Sequence, residues 1–236
     1  MGGTKIPLNP PFSKGEISSP LCQRGARGDF PLKIKGLYAI IDNSVRPDIS
    51  NVEIARRVLF GGAKAIQLRG KGLSSKELLS QAREIRELSK KTGAMLIVND
   101  RADIALLSDA DGVHLGQDDL PIAEARKILG SGKLIGISTH NLEQAIKAGA
   151  AGADYIGFGP VFGTKTKADA EEAKGLEALR EITNSVKIPV AAIGGITLEN
   201  AKEVAKAGAD AVAVISAIAK ADDIKATTKR FVEVFP

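Results

Sequence analysis

Two threonines and two lysines follow one another at Thr164-Lys165-Thr166-Lys167, a few residues after the short apolar run Asp154–Phe158. Hydroxyls and ammonium groups converging where a strand ends suit a phosphate or pyrophosphate, which needs donors and positive charge. Taken alone, such a tetrad is an ordinary solvated loop. Its weight comes from the other short apolar runs, because several of them end in related chemistry. Gln67-Leu68-Arg69-Gly70-Lys71 closes one run with two cations and an amide, and strand alternation aims Gln67, Arg69 and Lys71 roughly the same way. Asn99-Asp100 closes the next, and Asp118-Asp119 follows Gly112–Gln117. Two carboxylates without a histidine or cysteine cluster make an oxygen-only set, which suits Mg²⁺ completed by water and substrate phosphates. One of the Asp118-Asp119 pair, ahead of Leu120-Pro121, is expected to cap a helix instead, and that role is given to Asp118.

The elements that must position these groups alternate regularly from Gly36 onward. Apolar runs at Leu37–Ile41, Ala65–Leu68, Met95–Val98, Gly112–Leu115, Leu134–Ile137, Asp154–Phe158, Val190–Ile193 and Ala211–Ile215 read as strands. Amphipathic segments follow each one, near 52–60, 75–91, 102–107, 122–129, 142–148, 177–184, 198–206 and 222–234. Thr197 is expected as an N-cap, and Gly149 and Gly208 as helix-closing glycines within a recurring Gly-Ala pair. Eight β-then-α units imply a parallel sheet with right-handed crossovers. An open doubly wound sheet is the alternative, but no G-x-G-x-x-G follows the first strand. The expected fold is therefore a single (β/α)8 TIM barrel over 36–236, with an irregular N-terminal extension over 1–35.

In such a barrel the functional groups gather at the C-terminal ends of the strands. Ser138-Thr139-His140 ends the fifth, Gly194-Gly195 the seventh, and Val214-Ile215-Ser216-Ala217 turns the eighth into a short helix. Loops after the last two strands form a recurrent phosphate site in this architecture. Together the ends describe a pyrophosphate on Mg²⁺ with Arg and Lys, and a monophosphate on backbone amides.

These motifs, with Asp111–Asp119, Gly157–Lys167 and Ile193-Gly-Gly-Ile196, resemble the thiamine-phosphate synthase family from about Gly36 to the C-terminus. The resemblance implies coupling of 4-amino-2-methyl-5-hydroxymethylpyrimidine diphosphate with 4-methyl-5-(2-hydroxyethyl)thiazole phosphate, giving thiamine monophosphate and pyrophosphate. It further implies that Gln67, Arg69, Lys71, Asn99, Ser138 and Lys167 hold the pyrimidine diphosphate, with Leu68 and Gly70 in the same motif. Asp100 and Asp119 would hold Mg²⁺, and Thr164, Lys165, Thr166, Gly195, Ile215 and Ser216 the thiazole phosphate. Lys167, Ser138, Arg69 and Lys71 are the expected catalytic residues. A thiazole tautomerase, using a histidine near His140, is the nearest alternative, and a non-catalytic phosphate-binding barrel is another.

Composition narrows the classes further. The 236 residues carry a net charge of +5, but residues 1–35 hold six basic and two acidic side chains, which leaves +1 for the rest. A broad nucleic-acid surface is therefore not expected. Cys22 is the only cysteine, no long apolar span is present, and no secretion signal opens the chain. A cytoplasmic enzyme acting on small molecules, away from membranes, is expected; homo-oligomerisation is left open. The Pro-, Ser- and Gly-rich stretch 10–20 shows no periodicity, so residues 1–35 are expected to be dispensable.

Overall fold

A computed structural model describes residues 34–164 and 172–235. Eight strands, β1 (Gly36–Ile41), β2 (Ala65–Leu68), β3 (Met95–Asn99), β4 (Gly112–Leu115), β5 (Leu134–Thr139), β6 (Tyr155–Phe158), β7 (Val190–Ile193) and β8 (Ala211–Val214), close into a parallel barrel in sequence order. The closure joins β1 to β8, with Gly36 opposite Ala211 and Tyr38 opposite Ala213. The helices between them are α1 (Asn51–Phe60), α2 (Ser75–Thr92), α3 (Ala102–Leu107), α4 (Ile122–Leu129), α5 (Leu142–Ala150), α6 (Gly175–Ser185) and α7 (Ala201–Lys206). The chain ends with the one-turn α8 (Ser216–Ala219) and α9 (Ile224–Val234). The expected TIM barrel is the observed one.

Strand alternation divides the apolar residues into two cores. Leu37, Ala39 and Ile41 face outward and pack with Val58, Ile85, Phe231 and the other helix faces. Tyr38 and Ile40 face inward with Ala65, Ile97, Leu134, Tyr155, Ala191, Ala211 and Ala213. Ile34 belongs to that inner cluster and is 1% exposed, so the barrel's packing begins before the expected boundary at Gly36.

Local chemistry fixes the element ends. Ser50, Ser74, Asn141 and Asp223 cap α1, α2, α5 and α9 by accepting backbone N–H groups, and Ser74 with Glu77 forms a capping box. Two expectations need correction. Thr197 does not cap α7; its own N–H donates to Asn200 Oδ1, and Asn200 is the residue preceding the helix. Gly149 lies inside α5, and the left-handed glycine that closes it is Gly152 (φ 89°), whereas Gly208 (φ 92°) does follow α7 as expected.

The N-terminal face of the barrel carries a repeated clip. Asp111, Asp154 and Asp210, each just ahead of an even-numbered strand, accept from the backbone N–H groups of Leu96, Ile135 and Val190 in the preceding strand. Asp111 also takes a two-point hydrogen bond from Arg86, at 2.7 and 3.1 Å, with both side chains buried. These carboxylates hold the barrel together at the end opposite to Asp100 and Asp119.

Candidate active site

A cavity of about 900 Å³ opens at the C-terminal end of the barrel, lined from all eight βα connections or strand ends. That volume accommodates two small ligands at once. Its depth is graded chemically. The floor is neutral and buried, with Tyr38, Gln67, His114 and Ala213. The charges sit higher, on Arg69, Lys71, Asp100, Asp118, Asp119 and Lys220.

Arg69 leaves β2 with its backbone N–H bonded to Ile41 O, and its guanidinium meets the carboxylate of Asp42. Asp42 is 3% exposed, so the cation is aimed by a buried partner rather than by chance packing. Asp42 also accepts from Ser44 N–H at 3.0 Å, which holds the turn after β1. Lys71, two residues on, is exposed at the rim. Leu68 and Gly70 do not line the cavity: Leu68 packs in the outer core, and a Cβ on Gly70 would meet Leu73 and Leu78 at 2.8 Å.

Asp100 follows β3 in a left-handed backbone conformation (φ 62°) with its N–H bonded to His114 O at 2.8 Å. A non-glycine residue there is uncommon, and it turns the carboxyl into the cavity toward Asp119. Burial first, then hydrogen bonding and repulsion from Asp119, push the Asp100 carboxyl up to about 6, against the pull of Lys71 and Arg69. Asp119 Oδ2 accepts from Gly116 N–H at 2.6 Å, which closes the turn after β4. The expected division of labour is thus altered. Asp119, not Asp118, makes the local backbone bond, while α4 follows Pro121 without a side-chain cap and Asp118 stands exposed at the cavity edge.

Ser138 lies at the end of β5, and its hydroxyl is 3.0 Å from His114 Nε2. His140 Nδ1 is 2.7 Å from Gly159 O, so that nitrogen donates and ties the end of β5 to the end of β6. Gly194 and Gly195 have φ of 100° and 63° and leave no room for side chains. A Cβ would fall 2.4 Å from Pro160 at the first and 2.6 Å from Gly163 O at the second. The loop after β6 therefore packs directly on this turn, and Thr164 joins Gly195, Ile215 and Ser216 in lining the same side of the cavity. Lys165, Thr166 and Lys167 lie outside the described residues.

Sequence reasoning missed Asp42, Tyr38, Tyr155, Gln117 and Gln144. Gln117 Nε2 donates to Ser138 O at 2.6 Å, and Gln144 Oε1 accepts from His140 N–H at 2.8 Å, so both brace the β5 end. A signal existed for the tyrosines: the chain has two, both at inward strand positions among aliphatic neighbours.

A family model described as thiamine monophosphate synthase matches residues 37–218. The thiamine-phosphate synthase of Chloroflexus aurantiacus is 46% identical over 194 residues, spanning 82% of this chain and 89% of its own. That of Methanospirillum hungatei is 50% identical over 199 residues, 84% of this chain and 97% of its own. Among solved structures, thiamine phosphate pyrophosphorylase from Pyrococcus furiosus superposes with a TM-score of 0.78 at 44% identity, covering 84% of this chain and 94% of that one. The chain belongs to the thiamine monophosphate synthase family of transferase enzymes.

Proposed function

We propose that the barrel joins 4-amino-2-methyl-5-hydroxymethylpyrimidine diphosphate to 4-methyl-5-(2-hydroxyethyl)thiazole phosphate, releasing pyrophosphate and thiamine monophosphate. The observation that carries this reading is the grading of the cavity, with a neutral floor deep enough for a ring and a charged rim that fits a diphosphate. Gln67, Asn99 and Ser138 orient the pyrimidine end, and Arg69, Lys71 and Lys167 take the diphosphate. Thr164 to Thr166, Gly195, Ile215 and Ser216 receive the thiazole phosphate.

Asp100 and Asp119 are the residues that would hold Mg²⁺. Two carboxylates pressed together, one with its proton affinity raised, are a donor set that a hard divalent cation relieves. Among the described residues no cluster of three or more acidic, histidine or cysteine ligands exists, so substrate oxygens and water would complete the shell. Bound there, Mg²⁺ would supply positive charge to the diphosphate oxygens.

The chemistry needs no general base. The C–O bond at the pyrimidine's exocyclic methylene breaks, its electron pair leaving with pyrophosphate, and the aminopyrimidine ring delocalises the positive charge that remains. The lone pair of the thiazole nitrogen then forms the new C–N bond, and no proton moves. Catalysis rests on stabilising the leaving charge and aligning two rings, which the residues of this cavity are suited to do. His140, with Nδ1 spent on Gly159, serves as a brace in this scheme. A tautomerase reading would leave the paired carboxylates without a task.

The proposed setting is the cytoplasm; no helix of the described residues is long and apolar enough to cross a membrane. The test is direct. Purified protein with both substrates and Mg²⁺ should release pyrophosphate and thiamine monophosphate in equal amounts. Thiazole turnover without pyrophosphate release would overturn the reading.

A further inference from the structure

Beneath the cavity a chain of buried hydrogen bonds crosses the barrel from wall to wall. Gln67 Nε2 donates to Tyr38 Oη at 2.7 Å, and Tyr38 Oη lies 2.9 Å from Tyr155 Oη. Tyr155 Oη is 3.0 Å from His114 Nδ1, and His114 Nε2 is 3.0 Å from Ser138 Oγ. Five residues from β2, β1, β6, β4 and β5 are linked, and both ends of the chain line the cavity. The backbone has been cleared for it: a Cβ on Gly136 would fall 2.1 Å from the Tyr155 ring, and one on Gly157 3.1 Å from His114.

The direction of every proton in this chain follows from one orientation, that of the Gln67 amide, whose nitrogen faces Tyr38. Tyr38 and Tyr155 are each 1% exposed, and burial drives both phenols further from ionisation, so each carries a hydrogen that must be placed. Tyr38 already accepts from Gln67, and its own hydrogen has Tyr155 Oη as acceptor. With a neutral imidazole, Tyr155 then donates onward to His114 Nδ1, and the imidazole hydrogen sits on Nε2, pointing at Ser138 Oγ. The Ser138 hydrogen is thereby directed away from His114. At the other end the Gln67 amide spends its nitrogen on Tyr38, and Oε1 accepts from no described residue. Turning that amide over would require all the protons to reverse together.

We propose that Tyr38, Tyr155 and His114 are positioning residues that lock Gln67 as an acceptor and Ser138 as a donor toward the cavity, and so select a pyrimidine bearing an amine over one bearing an oxo group. This rests on the functional reading above, in which the ring occupies the neutral floor. The diphosphate arm, held at the charged rim, prevents the ring from rotating to offer another edge. An amine meets Gln67 Oε1 with a hydrogen, whereas an oxo group sets two acceptors against each other and leaves both unpaired.

The test compares kcat/KM for the 4-amino and 4-oxo pyrimidine diphosphates in the wild type, Tyr155→Phe and Tyr38→Phe, each of which keeps the ring and loses the hydroxyl. The wild type should favour the amine by about 100-fold or more, and each variant should lose roughly tenfold of that preference. A variant that slows both substrates by the same factor, keeping the ratio, would show that the chain only packs the core and overturn the proposal. Imidazole ¹⁵N shifts give a second readout that needs no turnover. His114 should be protonated at Nε2 in the wild type and become a tautomer mixture in Tyr155→Phe; protonation at Nδ1 in the wild type would refute the assigned direction. If the wild type releases no pyrophosphate from the aminopyrimidine diphosphate, the functional reading fails, and the imidazole shifts still decide the chain's polarity.

Discussion

Asp100 bears two costs at once, a left-handed backbone and a carboxyl held against Asp119. Its proton affinity is raised on folding, so the folded state prefers the neutral form. Stability is therefore lost as pH climbs from the unfolded value near 4 through about 6. Asp100→Asn removes the charge, and asparagine tolerates the left-handed region well. At pH 7 without Mg²⁺ the variant should melt higher than the parent, by about 2–4 °C for each kcal/mol relieved, while turnover with Mg²⁺ collapses. A thermal melt beside a pyrophosphate assay checks both halves. Asp119→Asn should also suppress turnover, whereas Asp118→Asn should be mild, because Asp118 is exposed and has no partner among the described residues. Equal damage at Asp118 would overturn that division. A second series separates the two anions. Lys167→Ala removes a cation proposed for the leaving group and should cut kcat by about a hundredfold, roughly 3 kcal/mol of barrier. Ser216→Ala, near a phosphate whose charge hardly changes, should chiefly raise KM for the thiazole. His140→Ala should fall short of the lysine's effect; loss of all activity there with a silent Lys167→Ala would favour the tautomerase. At this scale the sequence was most readable where a side chain leaves a strand end into the cavity, as with Gln67, Arg69 and Asn99. It was least readable where a partner comes from another strand: nothing local to Arg69 announces Asp42, and nothing local to Ser138 announces His114.

Among the elements, the strands and helices were legible because each is a short apolar run or an amphipathic stretch with little ambiguity of period. The misplaced details all lie where a helix meets a loop. Gly149 and Gly152 are three residues apart, and both are followed by alanine, so sequence alone offers two closing points for α5. Packing decides between them, since Ala153 is 5% exposed and must enter the core just before β6. The distinction can be measured. Gly149 is helical, and a Cβ there would make an ordinary 3.7 Å contact with Ile188, so Gly149→Ala should stabilise by about 0.5–1 kcal/mol. Gly152→Ala meets no atom within 4 Å but must hold φ at 89°, and should destabilise by about 1–2 kcal/mol. Denaturant midpoints of the two variants should move in opposite directions. The same side change in both would mean that α5 ends at the earlier glycine.

For the whole molecule the outstanding question is where the working unit starts. The +4 of net charge on residues 1–35 accounts for most of the chain's +5, yet no motif of the cavity falls among them. We expect a chain lacking residues 1–33 to keep its melting temperature and its turnover, because the barrel closes between Gly36 and Ala211 and such a chain retains Ile34 of the inner cluster. The next residue removed should be felt. Ile34 is 1% exposed among Tyr38, Ile40, Ala65 and Ala211, at the floor of the barrel and far from the charged rim. Ile34→Ala in the full-length chain should therefore cost about 2–5 kcal/mol, seen as a lower denaturant midpoint with an unchanged slope. Its kcat, measured well below the shifted melting point, should stay close to the parent's. A truncation at residue 33 that lost stability would place an essential contact in the extension. A truncation that kept stability but lost turnover would instead give those residues a part in the reaction, and the catalytic unit would have to be redrawn to include them.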